Sequence, residues 1–377
     1  MKFTNIQAVA RKEYCHLIRD FRSLYLAFAI PLLLIFLFGY ALSLDVNNVE
    51  TVVVDHDNTD FSREFIRHLD ASPYFHVSAR LPGTKSVTEY LDHGWMTLAV
   101  IIPPGWTKNI RADRDGQLQV LLDGSDPNFA SIARAYVNAF IEQYNQKLLK
   151  EFLNRQGMEK IKPPIEGRIR VWFNEDLESR NFIIPGIIAV IIMIAAAMLT
   201  SLVIAREFEN GTMETIKSLP LSAGEFLIGK AIPYFLIGFT DVLISILMGQ
   251  ILFGVVMKSS FWLMLLASSI YLSVALTLGL LISIVTKSQL LANQGAILIT
   301  YLPSLLLSNF VFPVVNMPKV LQLLTYIVPA TYYIDILRGI YLQNLGLTYL
   351  WPSFLVMTAM FVILAALNYA LMKREGL

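Results

Sequence analysis

The stretch Gly224-Glu225-Phe226-Leu227-Ile228-Gly229-Lys230-Ala231 has the G-x4-G-K frame with which phosphate-binding loops cradle a nucleotide. That chemistry needs a Ser or Thr hydroxyl after the lysine to meet Mg²⁺, and Ala231 stands there instead. It also needs a buried strand before the loop, whereas this stretch has bulky middle residues and opens an apolar run. Glycines that let helices approach, and a Lys230 that snorkels to the membrane interface, explain the spacing better. His56 lies between Asp55 and Asp57, but adjacent residues at a strand end do not face one point. His56, His68, His76 and His93 share one block without HExxH or Cys-His spacing, and no G-x-S-x-G occurs, so neither a metal centre nor a catalytic one is expected. The single cysteine, Cys15, excludes an intramolecular disulfide.

Polar residues inside apolar runs carry more information. Asp241, in Phe239-Thr240-Asp241-Val242, would cost about 2.5–3.5 kcal/mol at the centre of a helix facing lipid, so it should face protein or water. Asn293 and Gln294 raise the same question in a later run. These three are the candidate lining of a transport path; the alternative is an interhelical hydrogen bond or a place near the interface.

The elements that must position these residues are membrane spans. The chain has 377 residues, is 55% hydrophobic and only 16% charged, so lipid is part of its solvent. Its net charge of +1 gives no reason to expect nucleic acid as a partner. Six apolar runs stand out: Ser23 to Leu44, Phe182 to Ala205, Phe226 to Val256, Phe261 to Val285, Leu290 to Phe312 and Tyr349 to Met372. Each is long enough to cross about 30 Å of hydrocarbon at about 1.5 Å per residue. The first is too long for a signal-peptide core and lacks a cleavage site, so it reads as a retained anchor. A cytoplasmic N-terminus puts Lys2, Arg11, Lys12, Arg19, Arg22, Arg206, Lys217, Lys230, Lys287, Lys373 and Arg374 inside. Only Lys258, Lys319 and Arg338 then fall in the short outer loops. Both termini are expected in the cytoplasm and residues 45–181 outside.

The expected fold is an α-helical polytopic membrane protein with six transmembrane helices and an α/β extracytoplasmic domain inserted between spans 1 and 2. Residues 1–22 form an interfacial amphipathic helix, with Phe3, Ile6, Ala10, Tyr14, Leu17 and Phe21 at spacings of three and four. Residues 23–44 are span 1, 45–181 the outer domain and 182–377 spans 2 to 6. Within the outer domain Thr51–Val54, Phe75–Ala79, Thr97–Ile102 and Gln117–Leu122 read as strands, and a last strand covers Ile169–Asn174. Helices are expected near Phe61–Leu69, with Asn58 or Asp60 as cap, at Val87–His93 and over Asn128–Phe152. Pro313, Pro318 and Pro329 break residues 313–348 into short outer helices. Between spans 2 and 3 lies a polar cytoplasmic segment, 206–225, rich in glutamate.

That segment, Arg206-Glu207-Phe208-Glu209-Asn210-Gly211-Thr212-Met213-Glu214 followed by Leu219-Pro220-Leu221-Ser222 and Glu225 to Lys230, resembles the cytoplasmic signature of type-2 ATP-binding cassette (ABC) exporter permeases. Trp172-Phe173-Asn174, Pro185-Gly186, and the stretch from Met317-Pro318 through Ile327–Tyr333 to Leu337-Arg338-Gly339 extend the resemblance over essentially the whole chain. It covers the multidrug-type branch with a large outer domain. The resemblance implies a half-transporter, not an enzyme, whose coupling helix docks on a separate ATPase. Arg206, Glu207, Gly211, Thr212, Glu214 and Pro220 are the residues it assigns to that coupling. It implies two copies of the ATPase, which bind the ATP and Mg, with no cofactor in this chain. A second permease copy or a sister permease is implied as well, the small residues Ala195, Ala196 and Ala197 allowing close helix approach. The cargo would be a hydrophobic or amphipathic compound exported across a bacterial inner membrane, and the outer domain could hand it to a periplasmic adaptor protein. An ion-coupled secondary carrier using Asp241, and a non-transporting envelope sensor or mechanotransmission protein, are the alternatives.

Overall fold

The computed structural model describes residues 2–19, 21–41, 49–93, 95–112, 114–125, 127–155, 173 and 179–377. The chain divides into two compact units, Leu44–Arg170 and a second made of Met1–Ser43 with Val171–Leu377. In chain order the second unit begins with α1 (Phe3–Arg19) and α2 (Phe21–Ala41). The first unit follows as β1 (Val49–Asp55), α3 (Asp60–Asp70), β2 (Phe75–Leu81), α4 (Thr84–Asp92), β3 (Leu98–Ile102), α5 (Trp106–Arg111), β4 (Gln119–Leu122) and α6 (Pro127–Arg155).

The four strands form one mixed sheet in the order β2-β1-β3-β4, with β1 parallel to β2 and β3, and β4 antiparallel to β3. Side chains alternate across a strand, so β1 supplies both faces. Val49 and Val53 join Phe65, Ile66, Trp106 and Val137, while Val52 and Val54 join Val87, Met96 and Ile101. Helices covering both faces account for the near-continuous valine run of β1. One expectation is corrected here. Helix α3 is capped by Thr59, not by Asn58 or Asp60, because the Thr59 hydroxyl accepts from the Ser62 N–H at 3.1 Å while Ser62 Oγ accepts from the Thr59 N–H at 3.0 Å. Helix α5, which follows Pro103-Pro104-Gly105, supplies the buried Trp106. Its Thr107 N–H donates to Asp57 at 3.1 Å. Partial burial pushes the Asp57 carboxyl up, but the Thr107 and Thr59 hydroxyls and this N–H outweigh it and hold the group below the usual carboxylate range. The expected strand Ile169–Asn174 lies outside the described residues except for Phe173.

The helical unit continues with α7 (Arg180–Glu209), α8 (Thr212–Lys217), α9 (Ala223–Phe253), α10 (Phe261–Thr286), α11 (Gln289–Ala296), α12 (Leu302–Leu306), α13 (Lys319–Thr325), α14 (Pro329–Tyr341) and α15 (Leu347–Arg374). Among the described residues α7, α9, α10 and α15 are long and apolar enough to cross a membrane as single helices, and α13 with α14 form a further pair bent by 76°. The run Leu290 to Phe312 is not one regular helix. A π-helical turn, Ile297–Tyr301, separates α11 from α12. Pro303 has no N–H for the carbonyl of Ile299, and the widened turn accommodates that loss.

Helix α7 is the axis of this unit, buried along most of its length. Ala196 and Ala197 are buried within the chain: a Cβ on Gly279 of α10 would sit 2.4 Å from the Ala197 carbonyl. Ala197 therefore serves the α7–α10 crossing. Near its polar end α7 leans on α10 by hydrogen bonds. The Ile204 and Ala205 N–H groups donate to Ser283 Oγ at 3.0 and 2.8 Å, and Thr200 Oγ1 donates to the Leu276 carbonyl at 3.0 Å.

Candidate functional site

The helix ends around α8 converge on one buried lysine. Lys230, on the second turn of α9, is 2% exposed and donates to Glu13 of α1 and to Glu207 of α7, each at 2.6 Å. The Glu13 carboxylate also accepts from Tyr234 Oη at 2.8 Å, and Glu207 accepts from Lys12 Nζ at 3.1 Å. Two cations and two carboxylates thus form a neutral cluster with its lone pairs engaged, the condition under which buried charge is tolerated. The expectation that Lys230 snorkels to the interface is wrong, because α1 lies over it. Close approach of α1 requires a residue without Cβ at 229: one placed there would come within 2.7 Å of Val9.

A second tie fixes the start of α9. Ser222 and Glu225 form a reciprocal capping box, and the same Glu225 carboxylate accepts from the Lys2 N–H at 2.5 Å and Asn5 Nδ2 at 2.9 Å. The phosphate-loop frame is thereby accounted for as a helix start with no strand before it.

The short helix between these ties is anchored on one face and free on the other. Gly211, with φ 70°, makes the left-handed turn out of α7 that a side chain would strain. The next residue, Thr212, donates its hydroxyl to the Glu207 carboxylate, which ties the first turn of α8 to the charged cluster. Met213 and Ile216 are buried, whereas Glu214 points outward, 79% exposed and paired with Lys217 at 3.1 Å. Glu214 in the first turn favours the positive helix end. Pro220 follows in the turn that stops α8, and its carbonyl accepts from Asn5 at 3.3 Å. A cavity of about 310 Å³ opens beside this turn, lined by Val9, Lys12, Ile216, Leu219, Pro220 and Phe226 among others.

Of the residues proposed for coupling, Glu207, Gly211, Thr212, Glu214 and Pro220 therefore belong to one structure. Arg206 is adjacent and contacts His16 Nε2 at 3.1 Å. Segment 206–225 is not a loop from its start: Arg206 to Glu209 form the last turn of α7, because the apolar run ends before the helix does. The residues proposed for a transport path are not brought together. Asp241 is buried beside α2, α7 and α10, Asn293 is half-buried on α11, and Gln294 is exposed there. Sequence reasoning missed Glu13 and Tyr234. Residues 3, 6, 10, 13 and 17 follow a three-four repeat, so Glu13 occupies a slot on the apolar stripe of α1, which was the available signal. Among the described residues no group of three His, Cys, Asp or Glu side chains could hold a metal ion.

Residues 21–370 match the family described as ABC-2 family transporter protein. The chain is 32% identical over 371 residues to the probable multidrug ABC transporter permease YbhS of Escherichia coli (strain K12), covering 98% of this chain and 95% of the relative. It is 29% identical over 374 residues to the probable multidrug ABC transporter permease YbhR of the same organism, covering 99% of each. A more distant relative, the inner membrane transport permease YhhJ of that strain, is 23% identical over 320 residues, 83% of this chain and 82% of its own length.

Proposed function

This chain belongs to the ABC-2 transporter family, and on that premise we propose that it is the membrane-spanning permease subunit of an ATP-driven exporter. ATP and Mg are bound by two copies of a separate ATPase subunit, and the permease pairs with a second copy or a sister permease. Six crossings are proposed, with α2 as the first and the α11–α12 stretch as the fifth. The observation that carries this reading is the mounting of α8. Its exposed face presents Glu214 to a partner, while Thr212 and Glu207 tie it to α1, α7 and α9 through Lys230. A push on α8 is delivered to three helices at once, as rigid-body switching requires.

The cargo class is a hydrophobic or amphipathic compound. Two apolar clefts support it, one of about 430 Å³ between Met193, Leu278, Leu307 and Ile363, the other of about 560 Å³ between Leu302, Leu306, Phe312 and Leu321. Both termini and α8 lie in the cytoplasm of a bacterial inner membrane, and the sheet unit lies outside, where it can meet a periplasmic adaptor.

The test is co-reconstitution of the chain with its ATPase subunit in lipid vesicles, followed by ATP-driven movement of an amphipathic dye. Movement that requires both ATP and the ATPase is expected. Movement driven by an ion gradient with the permease alone would overturn the reading in favour of a secondary carrier.

A further inference from the structure

Asp241 is the third buried charge-bearing residue of α9, after Glu225 and Lys230, and nothing in the coupling cluster uses it. It is 6% exposed, and its Oδ2 is buried without a hydrogen-bond partner. The side chain borders a small void of about 10 Å³, about the space of a single water probe, walled by Pro31 of α2, Ala195, Ala196 and Leu199 of α7, Gly238 and Ser245 of α9, and Leu272 of α10.

No lining residue other than Asp241 is titratable or charged. Helix α10 carries no charged residue, α2 only Arg22, and α7 only Arg180 and the Arg206–Glu209 end. On α9 itself the charged residues are Glu225 and Lys230, both held in the cluster described above. Of the two other helices that touch α9, α15 carries Lys373 and Arg374 at its end, and the acid of α1 that faces α9, Glu13, is held by Lys230. An ionised carboxylate only accepts hydrogen bonds, and these walls offer it no cation and a single hydroxyl, Ser245. A metal ion fits no better, because a hard cation collects about six oxygen ligands and the lining supplies two side chains with oxygen. A carboxylic acid brings its own donor.

We infer that Asp241 is a proton-binding site that closes the junction of α2 with α7 and α9 when occupied and opens it when empty. In the closed packing the O–H bond is intact. Opening admits water, the O–H bond breaks, the proton passes to that water, and the carboxylate left behind is hydrated. Because the proton is bound in one arrangement and released in the other, each state biases the other by linkage. The inference rests on the packing of this chain alone and stands whether or not an ATPase drives it.

Infrared difference spectroscopy of the full-length chain in lipid nanodiscs tests occupancy directly. At neutral pH a protonated-carboxyl stretch should be present and lost in Asp241→Asn. Should that variant not assemble, Asp241→Glu moves the same band to the position of a glutamic acid. Opening is read from Ala195→Cys in a Cys15→Ser chain, by the rate of maleimide labelling. Beyond the thiolate-driven rise measured in the same chain carrying Asp241→Asn, labelling should increase with pH by up to about tenfold per unit across the titrating range. An unchanged infrared spectrum in Asp241→Asn, or pH profiles of labelling that superimpose with and without Asp241, would overturn the inference.

Discussion

Among the ionisable side chains that helix α9 buries, two about three turns apart are treated in opposite ways. Lys230 is held by two carboxylates and covered by α1, whereas Asp241 has an oxygen that meets no donor. The first arrangement resists change, since moving any one of its helices strands a charge in a medium of low dielectric. The second tolerates its surroundings only in one protonation state. The contrast separates what must be stiff in this molecule, the mounting of α8, from what is poised to rearrange, the middle of the helix bundle.

The contrast can be broken by substitution. Lys230→Met should have the largest effect, because it leaves Glu13 and Glu207 buried without their shared cation. A loss of about 3–5 kcal/mol is expected in unfolding of the detergent-purified chain, and an unchanged melting temperature would show that the cluster is not what holds α1 in place. Ser283→Ala comes next. It removes the acceptor shared by the Ile204 and Ala205 N–H groups, with an expected loss of about 1–3 kcal/mol. It should also weaken the ratio of transport to ATP hydrolysis, since α7 carries motion from α8 to the bundle at that level. Asp241→Asn should cost less than about 1 kcal/mol, because Asn keeps the shape and the donor of a neutral carboxyl. A loss as large as that of Lys230→Met would erase the distinction between the two sites. Glu214→Lys should leave stability unchanged, its side chain being exposed, while weakening binding of the ATPase subunit and the stimulation of hydrolysis by transport. Normal binding would remove Glu214 from the docking face.

Much of the architecture was written locally. The strands of the Leu44–Arg170 unit are short apolar runs, and their bounds differ from the sequence expectation by one or two terminal residues. What could not be read was set by contacts distant in sequence. Glu13, Glu207 and Lys230 become a unit only when α1 lies on α9, so a lysine at the edge of an apolar run was indistinguishable from one that snorkels. Thr59 displaced Asn58 and Asp60 as a cap because Ser62 answers it, a reciprocity that composition does not reveal. Leu290 to Phe312 reads as one apolar run, and the π turn before Pro303 depends on the local hydrogen-bond pattern. The short helix α8 was the most legible part of the candidate site, since Gly211 starts it and Leu219-Pro220 ends it within a few residues. Its mounting was not legible at all.

The account stands on α8 being the surface that an ATPase subunit pushes from the cytoplasm. Glu214→Cys in a Cys15→Ser chain, labelled with a membrane-impermeant maleimide in sealed vesicles of known orientation, tests this directly. Labelling only from the cytoplasmic face, abolished when the ATPase subunit is bound, is the predicted result. Labelling from the opposite face, or labelling that the bound ATPase leaves unchanged, would contradict it.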